Sequence, residues 1–190
     1  MTERQMPELN KVMSLYVWYS DLLKMDKGRD FSDIVKQKLV DSVADERRIV
    51  EHILSMELKR TGRYDEARDV LERQIRQDPN DVLPASWLAE LFLGFQDRPE
   101  EALTAIDCAI ESTKRLRAFR RLALGVKGRV AIRLGRYDLL EQVLLSILNL
   151  RVKKDELDIG LERDFFDRAD RDKLSEEVAV RYAAMFKKGD

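Results

Sequence analysis

Few side chains in this chain are of a type that could make or break a covalent bond. His52 is the only histidine and Cys108 the only cysteine. A nucleophile–base arrangement would need these two together, or His52 beside a serine, and no local motif sets one up. A single cysteine cannot close an intramolecular disulfide, and no Cys/His cluster has the spacing of a structural zinc site. The sequence also has no phosphate loop, no dinucleotide-binding glycine fingerprint and no zinc-protease helix motif. The expectation is a protein that is not an enzyme and takes no cofactor or metal. Cys108, set among Ala105, Ile106 and Ala109, is expected as a small core hydrophobe. His52 is expected as a structural or exposed histidine on a helix.

Charge is the stronger chemical signal. From Lys114 to Arg136 the chain carries nine basic residues, Lys114, Arg115, Arg117, Arg120, Arg121, Lys127, Arg129, Arg133 and Arg136, and no acid. Leu116, Phe119, Leu122, Ala123, Val126 and Val130 read as the apolar stripe of a helix here, which leaves most of the arginines on other faces. Something anionic should lie near them. Acids on neighbouring elements are one source. The segment from Asp155 to Glu177, with ten acids and four basic residues, is another, by folding back or by pairing across a dimer. A third is external: an acidic protein segment or nucleic-acid phosphates, both of which suit the planar fork of arginine. Against nucleic acid stand the overall balance of 35 basic and 36 acidic residues and the lack of interleaved aromatics beyond Phe119.

The elements that must position these groups read as helices throughout. The chain has 190 residues, 44% hydrophobic and 37% charged, with eight Gly and four Pro, which describes one folded, helix-rich domain over 1–190. Over 7–24, Leu9, Val12, Met13, Tyr16, Val17 and Leu23 recur at helical spacing, with Trp18 and Tyr19 expected to pack on the next helix. Ser32 suits the N-cap of a helix holding Ile34, Val35, Leu39 and Val43, and Asp45 the cap of one over 46–60. Ser175 suits the cap of a last helix carrying Val178, Tyr182, Met185 and Phe186, preceded by a short helix through Leu157, Leu161, Phe165 and Phe166. The first residues carry acids and lead into no uninterrupted apolar run, unlike a signal peptide. No stretch approaches the roughly 20 apolar residues of a membrane span. The expectation is a cytoplasmic protein with no membrane contact.

One stretch organises the rest. Thr61-Gly62-Arg63-Tyr64-Asp65-Glu66-Ala67 returns as Leu134-Gly135-Arg136-Tyr137-Asp138-Leu139-Leu140 and, degraded, as Asp97-Arg98-Pro99-Glu100-Glu101-Ala102. Each copy places a turn between two apolar-periodic helices. The pattern resembles the tetratricopeptide repeat, whose unit of about 34 residues pairs two antiparallel helices. Gly62, Tyr64, Ala67, Leu71 and Pro79 match in type and spacing. The second copy fits through Ala102, Ile106 and Ala109, but its first helix, around Trp87, Leu88, Leu91 and Phe92, falls out of register. The third fits through Gly128, Gly135, Tyr137, Leu140 and Leu144. The spacing is 35 residues from Ala67 to Ala102 and 38 from Ala102 to Leu140, so an insertion is expected to lengthen the middle hairpin.

The resemblance implies an all-α, right-handed stack of antiparallel hairpins, a TPR-like α-solenoid. It would comprise an N-terminal hairpin over 7–44, three repeats over 48–150, and an acidic segment with a capping helix over 151–190. It also implies a protein-protein interaction module, an adaptor or scaffold whose groove takes a peptide or helix of another protein. In that family the groove would be lined here by His52, Trp87, Leu91 and Arg129. The carboxylate clamp of chaperone-binding members needs lysine and asparagine where this chain has His52, Met56, Trp87 and Leu91, so that ligand is not expected. The alternatives are a nucleic-acid or nucleoprotein factor using the basic helix 114–136 through Arg120, Arg121 and Arg129, and a structural subunit of a larger assembly. Self-association stays open.

Overall fold

The computed structural model describes residues 5–112, 117–150 and 168–187, and all regular elements among them are helical. Their packing groups the chain into two compact units, Met1–Gln77 and Asp78–Asp190.

The first unit holds α1 (Gln5–Met25), α2 (Ser32–Asp41), α3 (Ala44–Arg60) and α4 (Tyr64–Gln77). α3 is its hub, packing on α1, α2 and α4. The core is apolar side chains at helical spacing: Val50, Ile53, Leu54 and Leu58 of α3 meet Ala67, Val70 and Leu71 of α4, with Phe31 and Val35 from the α2 end. The inward face of α1 includes Tyr19, as expected, but not Met13 or Val17. Leu15 and Tyr19 are buried, whereas Met13 and Val17 are 55% and 53% exposed. α1 carries apolar residues around most of its circumference, so periodicity alone could not choose the face. The capping expectations also shift. Ser32 is the first residue of α2, and the carboxylate of Asp30 accepts its amide at 2.8 Å. Asp45 falls inside α3, which starts at Ala44 after Val43.

The second unit holds α5 (Val82–Leu91), a π-helical turn (Phe92–Gln96), α6 (Pro99–Ser112), α7 (Arg117–Arg133) and α8 (Tyr137–Asn149), then a 3₁₀ turn (Arg171–Lys173) and α9 (Glu176–Lys187). α5 packs on α6, α6 on α7 and α7 on α8, while α5 also touches α7. Asp81 caps α5 by accepting the Leu83 amide at 3.2 Å. α9 packs on α8, where Ala169, Leu174 and Val178 join Leu139, Leu140, Val143, Leu144 and Ile147 in one cluster. Ser175 does precede α9, but its hydroxyl donates to Glu141 of α8. The expected short helix through Leu157 to Phe166, most of the acidic segment, and the side chains of Tyr182, Met185 and Phe186 lie outside the described residues.

Three turns share one geometry. Gly62 and Gly135 are left-handed, at φ 78° and 66°, and Asp97 takes the same region at φ 50°. After each comes an arginine, and five residues past each left-handed residue comes a fully buried one, Ala67, Ala102 or Leu140. At the two glycine turns the arginine amide reaches back five residues, Arg63 to the Leu58 carbonyl at 2.8 Å and Arg136 to the Ala131 carbonyl at 2.9 Å. This is the bond that closes a Schellman C-cap. At the middle turn the Arg98 amide reaches back six, to the Phe92 carbonyl at 3.0 Å. The additional residue is the π turn, since a π helix closes its ring over one more residue than an α helix. The loss of register in the middle copy thus arises inside its first helix. That helix is also the short one. α3 and α7 have 17 residues each, against 10 in α5 and 5 in the π turn, so a longer α7 accounts for two of the three residues by which the spacing to the third copy exceeds that to the second.

Candidate functional site

In the second unit the residues nominated for a groove are α5's Trp87 and Leu91 and α7's Arg129. Trp87 is half-buried, and Arg129 sits on the α5–α7 side, donating to Glu90 Oε1 at 2.5 Å. Leu91 is 1% exposed and belongs to the core. The π turn accounts for the exchange. Arg129 lies six residues before its left-handed Gly135; with one residue added, the matching place on α5 is seven before Asp97, which is Glu90. The face that the sequence assigned to a leucine therefore holds a carboxylate, and the pair makes it polar.

Four of the nine basic residues lie against carboxylates of this unit. Lys127 donates to Asp107 of α6 at 2.6 Å, Arg129 to Glu90 of α5, and Arg133 to Asp97 of the middle turn at 2.6 Å; Arg136 lies 3.8 Å from Asp138. Among the described residues, the carboxylates that meet them come from neighbouring helices and turns of the same unit, while most of the acidic segment over 155–177 lies outside the described residues. Arg121, nominated for an open basic surface, is 6% exposed, because it shares a face with buried Leu124 and Ala131, three and ten residues on. Arg120 is half-buried. Leu122, read as part of the inward stripe, is exposed, while Ala123, Val126 and Val130 are buried as that stripe requires. Lys114, Arg115 and the side chain of Arg117 lie outside the described residues. Cys108 is exposed, against the expectation of a core position; Ile106 and Ala109 take the buried face of α6.

In the first unit His52 lies on the side of α3 that faces α1. Tyr16 of α1 meets its ring edge-on, with centroids 6.0 Å apart and planes at 70°. Burial pushes the imidazole down to about 3, and the positive charge of Lys59 adds to the effect, so His52 is neutral at physiological pH. The same desolvation raises Tyr16, with Arg48 acting the other way.

Below it is a feature that sequence reasoning missed. Glu57, near the end of α3, is fully buried. Its carboxylate accepts from the Tyr19 hydroxyl at 2.6 Å, from the Phe31 amide at 2.7 Å, and twice from the Arg60 guanidinium, at 2.8 and 2.6 Å. Arg60 donates in turn to the carbonyls of Lys27 and Arg29, at 2.7 and 2.5 Å. Burial alone would raise Glu57, but the bonds from Arg60, Tyr19 and the Phe31 amide outweigh it and hold the carboxyl below its ordinary value. Tyr19 is raised, by burial and by the neighbouring carboxylate. A charged residue in Glu57-Leu58-Lys59-Arg60 looks like any solvated helix end, and the faint signal was its place one turn from Leu54 on the inward face. A second buried carboxylate, Glu51, lies 3.4 Å from Arg73, and Gln74 donates to the Arg48 carbonyl at 3.1 Å. These tie α4 to α3 with polar contacts.

Among the described residues no group of three or more His, Cys, Asp or Glu side chains is placed to hold a metal ion, and no helix is long and apolar enough to cross a membrane. Compared with known proteins, the chain matches no family model and no curated sequence.

Proposed function

We propose that this chain is a protein-interaction module, an adaptor or scaffold built of TPR-like helical hairpins, and that the α5–α7 face carrying Trp87 and the Glu90–Arg129 pair receives a peptide or helix of a partner protein. The observation that carries the reading is the turn geometry that occurs three times, at Gly62, Asp97 and Gly135, each followed five residues later by a buried position. A hairpin repeated in this way presents its first helices side by side, and α5 does touch α7. Trp87 offers the half-buried aromatic anchor typical of binding hot spots. The Glu90–Arg129 pair supplies a donor and an acceptor beside it, suited to a backbone or polar side chain of the ligand.

A nucleic-acid role through α7 is the weaker reading, since Lys127, Arg129 and Arg133 already face carboxylates. The test is a pull-down of the tagged chain from its own cell extract, treated with nuclease and washed at high salt, run beside Trp87→Ala. The expected result is a discrete protein retained by the wild type and reduced about tenfold by the variant. Recovery of nucleic acid, or of a protein that Trp87→Ala retains equally, would overturn the reading.

A further inference from the structure

We draw no further inference here: the strongest candidate, the apolar surface patch at the π-helical turn where exposed Phe95 follows half-buried Leu93, carries none, because nothing in the structure shows what covers it.

Discussion

α3 and α7 are the same length and end in the same turn, yet they treat charge in opposite ways. α3 buries Glu57 and surrounds it with a tyrosine hydroxyl, a backbone amide and an arginine. α7 turns Lys127, Arg129 and Arg133 outward, toward carboxylates on α6, α5 and the middle turn. The difference teaches where each helix's charge acts. A carboxylate out of water is costly unless every lone pair is met, so the α3 network fixes the geometry of the chain around it. Ion pairs in contact with solvent contribute little, so the pairs of α7 add little to stability.

The largest break in this comparison is Glu57→Ala. It leaves Arg60 and Tyr19 facing an empty, buried site and should cost about 3–5 kcal/mol, read as a lower denaturant midpoint. Acid comes next. His52 binds a proton near 6.5 when exposed and only near 3 in the folded chain, so the exposed form takes up the extra proton as pH falls. Stability against whatever opening uncovers the ring is complete above about 6.5 and is lost as pH falls toward 3, at about 1.4 kcal/mol per unit. From pH 6.5 to 5 that is about 2 kcal/mol, before Glu57 begins to titrate, and His52→Gln should flatten the slope in that window. Unfolding curves at the two pH values check it.

Smaller still is Gly62→Ala. Nothing crowds the added methyl, but φ 78° strains any L side chain, so about 1 kcal/mol is expected from backbone conformation alone. Asp97→Gly at the matching turn should be near neutral, because relief of the backbone offsets the lost contact to Arg133. The smallest effect belongs to α7: Lys127→Ala or Arg129→Ala should each cost less than about 1 kcal/mol, and less again at high salt. A loss at Arg129 as large as that at Glu57 would erase the distinction between the two helices.

How much of this was legible follows the same division. Glycine in a left-handed turn is close to obligatory, so Gly62 and Gly135 located two helix boundaries from the sequence. Asp97 occupies that conformation without a glycine, and the π turn before it shifted the register, which is why Leu91 was nominated where Glu90 stands. The inward face of α1 was legible at Tyr19 but not at Met13 and Val17, because its apolar residues surround the helix. Arg121 lay in a run of basic residues and gave no sign of facing Leu124 and Ala131. Glu57 left only the faint trace of its place one turn from Leu54, since two of its partners, at residues 19 and 31, are brought to it by the packing of α1 and α2 on α3.

The most direct test of a protein-binding role is the salt dependence of the purified complex with the recovered partner, measured between 50 and 200 mM salt by titration. A groove that works through Trp87 and local polar contacts predicts a change in Kd of less than about threefold, since short-range apolar contacts are not screened. A fall in affinity on the order of a thousandfold over the same range would mean that released counterions drive binding, and would contradict the role proposed for the α5–α7 face.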